Sequence, residues 1–186
     1  MMLSDGISNH ERVKERLKDY AINNGVEPVK PFVLVVCKDT KHAEQVKAHI
    51  SSSDFFDGKY ADKTFILHSN QRGEEKDEKV QWLLDDEKLT NPIGIDIHVN
   101  ILKEGWDVNN LYTIIPLRTA ASQTLREQTI GRGLRLPYGQ RTGNRDVDAL
   151  VITAHDKFEK IIAEANKPDN LLKAGNIIFA EDIEKS

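Results

Sequence analysis

Ser122-Gln123-Thr124-Leu125-Arg126-Glu127-Gln128-Thr129-Ile130-Gly131-Arg132-Gly133-Leu134-Arg135-Leu136-Pro137 is the stretch around which the rest of the chain is read. It opens on a helix-cap residue and continues in good helix formers. It then runs into Gly131 and Gly133 and closes at Pro137, which cannot continue a helix. Arg132 and Arg135 stand at this glycine-loosened end. In a continuing helix Gln128, Arg132 and Arg135 fall at i, i+4 and i+7 and share one face. A guanidinium presents a planar fork of donors, meets two phosphate oxygens at once and never deprotonates. An amide and two fixed positive charges on a tight turn therefore make a candidate site for a multiply charged anion. An exposed, salt-bridged helix end is the plain alternative. The glycines weigh against it, because each costs about 1 kcal/mol inside a helix and needs a reason.

Outward from this stretch, short apolar segments alternate with helical patterns. Phe32-Val33-Leu34-Val35-Val36-Cys37 is a continuous, β-branched apolar run, the signature of a strand covered on both faces. Lys38-Asp39-Thr40 turns it into a helix over His42–Ile50, amphipathic through Ala43, Val46 and Ile50. Thr64–His68 reads as a second strand, followed by a polar helix from about Glu74 to Leu84. Ile93–Val99 alternates and reads as a third strand, Leu111–Pro116 as a fourth and Val147–Thr153 as a fifth. Successive βα units of this kind predict an α/β fold, a mostly parallel sheet with helices on both faces. Ligands of such sheets sit beyond the carboxyl ends of the strands, where the segments after the third and fourth strands fall.

Those two segments also carry a resemblance. Gln128-Thr129-Ile130-Gly131-Arg132-Gly133-Leu134-Arg135 resembles motif VI of superfamily 2 helicases and translocases, and Asn100-Ile101-Leu102-Lys103-Glu104-Gly105-Trp106-Asp107-Val108 resembles motif V. Their wording is most similar to the restriction (Res) subunit of type III restriction enzymes, and the likeness runs from about Pro31 to Asp156. It implies a RecA-like C-terminal helicase lobe over 31–156, with a helical lead-in and linker over 1–30 and a helix and tail over 157–186 that a longer chain continues.

The resemblance also implies roles. Arg132 and Arg135 become arginine fingers against the γ-phosphate of an ATP held on another lobe, and Gln128 a helper in the nucleotide cleft. Gly105 and Asp107 form a turn beside the nucleotide; Asp107 either accepts from a ribose hydroxyl or orients an arginine. Thr40, Ser69 and Asn100 fall on the nucleic-acid path, although many relatives carry Thr where Asn100 stands. For Thr40, capping the helix that follows is the competing role. Implied partners are DNA, the first RecA-like lobe and a modification (methyltransferase) subunit. The implied cofactor is ATP, with Mg2+ held by the first lobe.

The sequence contains no Gly-x-x-x-x-Gly-Lys-Ser/Thr loop to cradle phosphates and no Asp-Glu-x-His box to hold magnesium. Phosphoryl transfer needs those parts as well as the fingers. The chain on its own is therefore expected not to turn over ATP. No endonuclease site is visible, and no second His or Cys stands at ligand spacing from His98, which is read as a sheet residue with no metal. Two other readings stay open: a non-catalytic nucleotide- or nucleic-acid-binding module of the same fold, and a doubly wound domain that docks a partner through its helices.

Composition bounds these readings. A chain of 186 residues, 39% hydrophobic and 30% charged, suffices for one well-cored domain. No stretch approaches the apolar length of a membrane span, and no signal-peptide core opens the chain, so a cytoplasmic protein without membrane contact is expected. The net charge of −4 does not advertise a nucleic-acid binder, yet Arg118, Arg126, Arg132, Arg135, Arg141 and Arg145 concentrate in one segment. The lone Cys37 reads as a core residue. Glu11–Tyr20 reads as a short helix stopped at Asn23-Asn24-Gly25, and Asn176–Ala180 as an edge strand or an interface with further sequence.

Overall fold

The computed structural model describes residues 2–67, 92, 94–99, 110–117 and 138–153, and the backbone of 177–179. Helix α1 spans Met2–Asn24, strand β1 Phe32–Val36 and helix α2 Thr40–Ile50. Strands β2 (Thr64–Leu67), β3 (Ile95–His98), β4 (Leu111–Pro116), β5 (Leu150–Ile152) and β6 (Ile177–Phe179) follow. All pairings are parallel, in a six-stranded sheet of order β2-β3-β1-β4-β5-β6. The expected parallel α/β architecture is present, and the apolar patch near the end of the sequence resolves as its edge strand. The helices expected over 74–84, 122–137 and 157–166 lie outside the described residues.

Burial explains why this order is stable. Val33 and Val35 pair with Ile95 and Ile97 on one side and with Thr113 and Ile115 on the other. These residues line one face of the sheet, where Ala43, Val46 and Ile50 of α2 and Ile7 of α1 join Val33, Val35, Ile95, Ile97 and Ile115 in a single cluster. The opposite face is formed by Leu34, Asp96, Ile114 and Ile152 in lateral register, and these are buried as well. Both faces are therefore removed from water. The third strand is present as expected, and Asp96 and His98, its polar positions, point to a covered face.

Helix α1 is longer than the expected 11–20 segment and belongs to the core. Its buried residues Ile7, His10, Val13, Leu17 and Ala21 recur at helical spacing, a wider stripe than Val13 and Leu17 alone. It lies along β4 and β5, with Gly6 against Ile115 and Thr153, His10 against Thr113, and Leu17 clustered with Tyr112, Val147 and Val151. Between Phe32 and Val33 the register on β4 jumps from Leu111 to Thr113, so Tyr112 is the extra residue of a bulge. This irregularity lets Tyr112 share the α1 side with Thr113. The helix stops where expected: Gly25 adopts φ +62 and the Val26 amide donates to the Ala21 carbonyl at 3.1 Å, a left-handed cap.

The loop before β5 is shaped by one carboxylate. Asp148 accepts from the Thr142 amide at 3.0 Å, the Thr142 hydroxyl at 2.9 Å and the Gly143 amide at 3.1 Å. Val147 N–H is turned back to Asn144 O, which is why β5 begins at Leu150 and not at Val147. Arg16 of α1 reaches Asp146 of the same loop at 2.9 Å, and Tyr20 stacks at a tilt on Tyr138.

Candidate nucleotide and nucleic-acid edge

Three strands end level at the carboxyl edge. Val36 of β1 lies between His98 of β3 and Pro116 of β4. Backbone bonds carry the register one step further: the Cys37 amide donates to the His98 carbonyl at 2.7 Å and the Leu117 amide to the Val36 carbonyl at 2.9 Å. From β1 the chain crosses to β2, beyond β3, whereas from β4 it proceeds outward to β5. Connections leaving adjacent strands in opposite directions open a crevice at their carboxyl ends, the usual ligand position of doubly wound sheets. The motif V segment follows β3 in sequence and the motif VI segment follows β4. The strands that precede the two segments thus end on this edge, one on either side of β1.

Of the site residues expected from the sequence, Thr40 is described. Arg132, Arg135, Gly105, Asp107, Gln128, Ser69 and Asn100 lie outside the described residues. Thr40 is exposed at the first position of α2, directly beyond the end of β1. The cap of that helix is Asp39, whose Oδ1 accepts from the His42 amide at 2.7 Å. The capping role considered for Thr40 is thus filled by its neighbour, in keeping with the stronger preference of Asp for that place. Lys38 and Lys41 flank the turn and are exposed, two cations that reading the motif alone passed over. Lys38 Nζ stands 4.0 Å from Asp39 Oδ2.

Behind this exposed turn the edge is chemically quiet. Cys37 is fully buried, and desolvation, helped by the Asp39 charge, pushes its thiol up to about 12. A thiol so protonated is a packing group, as expected from its apolar run. His98, at the end of β3, is buried, and desolvation lowers its imidazole to about 3, so it stands neutral. The described part of the edge offers a hydroxyl, a capped helix start and cations, and holds no group activated for covalent chemistry among the described residues.

No protein-family profile matches the chain. It is 25% identical over 140 residues to the type III restriction-modification enzyme EcoPI Res subunit of Escherichia phage P1, a match covering 73% of the chain and 14% of that protein. It is 32% identical over 121 residues to the EcoP15I Res subunit of Escherichia coli, covering 54% of the chain and 12% of that protein. The chain thus spans less than a sixth of the length of these relatives. Among solved structures, the C-terminal domain of S. cerevisiae Dbp5 superposes with a TM-score of 0.48 and 16% identity, covering 93% of this chain and 88% of that one. The resemblance to type III Res subunits carried by the two motifs is borne out by the sequence relatives.

Proposed function

We propose that the chain is the second motor lobe of an ATP-dependent DNA helicase or translocase of the type III Res kind, working as part of a longer protein. In this reading Arg132 and Arg135 are the arginine fingers, Gln128, Gly105 and Asp107 line the nucleotide cleft, and Thr40, Ser69 and Asn100 touch the nucleic-acid backbone. ATP and Mg2+ are held by a first lobe carrying the phosphate loop and acidic box. The placement of Val36 between His98 and Pro116 is the observation that supports this reading, because the strands that precede the two motif segments in sequence end level there, on either side of β1.

Each part has a physical task. The γ-phosphoryl group spreads negative charge over its oxygens as it transfers, and cations aimed at that charge lower the barrier. A lobe that supplies fingers while another holds the phosphates turns over ATP only when the two close together. Hydrolysis thereby becomes coupled to movement along a strand gripped by both. Lys38 and Lys41 beside Thr40 supply cations where a phosphate backbone would pass. Further partners in this reading are DNA and a modification subunit, and the setting is the cytoplasm; no described helix is long and apolar enough to cross a membrane.

Steady-state ATP hydrolysis and ATP binding by the longer protein, with Arg132→Ala and Arg135→Ala, test the reading. Loss of hydrolysis with binding retained is expected. Hydrolysis untouched by both substitutions refutes it and favours a binding module of the same fold that catalyses nothing.

A further inference from the structure

The helix stop Asn23-Asn24-Gly25 carries a reactive pair. Asn24-Gly25 is the one place in the sequence where glycine follows asparagine. Such a pair can close on itself: the backbone nitrogen of the second residue attacks the carboxamide carbon of the first, and a cyclic imide forms. A side chain on the second residue crowds that ring, and glycine has none. Both residues are exposed, and a Cβ on Gly25 would meet nothing within 4 Å, so the site is open to water and base. Asn24 is the last residue of α1, with its side chain folded back along the helix and Nδ2 donating to the Tyr20 carbonyl at 2.9 Å. That bond restrains the carboxamide. Helix ends fray, however, and in the frayed state the carboxamide can reach the Gly25 nitrogen.

The surroundings make the product consequential. The last turn of α1 carries no basic residue. A carboxylate at Asn24 would therefore meet the negative end of the helix dipole with no cation of that turn to offset it. It would also lose the donor that now serves the Tyr20 carbonyl. Where the imide opens the other way, the main chain runs through the Asn24 β-carbon. An extra backbone atom then enters the turn closed by the Val26 amide and the Ala21 carbonyl at 3.1 Å. Tyr138 grips the chain on both sides of this turn. Its ring lies at a tilt 5.9 Å from that of Tyr20, and its hydroxyl donates to the Glu27 carbonyl at 3.1 Å.

We propose that Asn24 is a hydrolytic modification site: it deamidates through the Gly25 nitrogen, and the product loosens the carboxyl-terminal end of α1 from Tyr138. The Gly25 amide gives up its proton to base and its nitrogen bonds to Asn24 Cγ. The Cγ–Nδ2 bond breaks and ammonia leaves. Solvent water then adds to either imide carbonyl and gives aspartate or isoaspartate, with no change of oxidation state. The inference is independent of the motor reading.

The test is incubation of the 186-residue chain in mildly alkaline buffer, followed by peptide mapping for amide-to-acid conversion and for isoaspartate. Conversion at Asn24 should lead that at Asn23 and Asn144, which are equally exposed but are followed by Asn24 and Arg145. It should run faster in urea, which opens the helix end. The converted protein should melt about 2–4 °C below the parent, the shift that loss of one capping bond gives in a chain of this size. Asn24→Asp adds the charge without rerouting the main chain, and should lower the midpoint by less. Conversion at Asn24 no faster than at Asn23 or Asn144 overturns the proposal, as does an Asn24→Gln protein that releases as much ammonia as the parent. So does a folded chain that converts as fast as the urea-unfolded one, or a converted protein that melts with the parent.

Discussion

His10 on α1 and Thr113 on β4 hold a buried hydrogen bond of 2.8 Å across a sequence separation of 103 residues. The bond ties the helix to the middle of the sheet. Desolvation, reinforced by the Lys14 charge, lowers His10 to about 3. A charged His10 would bring an unsolvated cation into a core whose apolar neighbours cannot answer it.

Stability should therefore fall in mild acid. Below pH 6.5 an unfolded His10 or His98 takes up a proton, whereas the folded residues resist until about 3. The unfolded state then binds more protons, so stability rises with pH across that window and is full above it. Between pH 7 and pH 5 the loss is about 2 kcal/mol for each histidine. Glu11 acts in the same direction further down: despite its desolvation, hydrogen bonds from Lys14 and Lys59 hold it at about 2, and its contribution fades as pH falls from 4.5 through 2. Urea unfolding at pH 7 and pH 5 measures the slope. Equal stability at the two values would contradict neutral burial, and His10→Gln should flatten the slope whatever it does to the absolute value.

A second prediction concerns the close approach of α1. A Cβ on Gly6 would lie 2.5 Å from Ile115 Cδ1 and 3.1 Å from Thr153 Oγ1. Ile115 is fully buried and has little room to turn. Any residue but proline would improve helix propensity by up to about 1 kcal/mol. Overpacking of a filled core costs about 1–3 kcal/mol, and a β-branched side chain lies at the upper end. Gly6→Val should thus lower the denaturant midpoint in spite of the better propensity. A variant as stable as the parent would mean that α1 can shift off the sheet freely.

Two neighbouring acids of the loop before β5 should behave differently. Asp148 satisfies two amides and a hydroxyl, and its removal strands backbone donors in a half-buried loop. Asp148→Ala is expected to cost about 1–3 kcal/mol. Asp146 pairs with Arg16 across side chains that are 43% and 40% exposed, so Arg16→Ala should cost about 1 kcal/mol or less. Chemical denaturation of both variants separates them, and the ranking reversed would show that the loop is held by the ion pair.

The legible part of this fold was the part governed by composition along a strand. Phe32–Val36 and Leu111–Pro116 can be read because every residue is buried, which leaves an unbroken apolar run in the first and one broken only by Thr113 in the second. Val147 reads as strand because Val151 and Ile152 follow it in the same apolar stretch; the Asn144 carbonyl that turns its amide back is a loop event with no apolar signature. Helix α1 reads short in the sequence because Gly6 and His10, which local propensity counts against a helix, serve contacts with Ile115 and Thr113. Long-range packing of this kind leaves no trace at the helix itself. At the edge, the end of the apolar run at Cys37 already sets Thr40 beyond β1, while the capping bond of Asp39 is a choice between neighbours that only geometry resolves.

The last prediction concerns Arg132 and Arg135 in the longer protein that the proposed function implies. Each is expected to meet charge that grows in the transition state more than in bound ATP, so its loss raises the barrier more than it weakens binding. Arginine fingers are worth about 10³- to 10⁵-fold in rate, or roughly 4–7 kcal/mol of barrier. An exposed ion pair at a helix end, the competing role, is worth about 1 kcal/mol or less. The two roles differ by orders of magnitude, so steady-state ATPase on folded Arg132→Ala and Arg135→Ala proteins separates them. Arg→Lys should fail nearly as badly, because a point charge does not reproduce the two-pronged guanidinium contact. If both alanine variants keep more than about a tenth of the parent rate, far above the finger range, the arginines are not fingers and the motif VI role falls. If lysine restores the rate while alanine abolishes it, the position needs charge alone, and the bidentate contact is the part of the argument that fails.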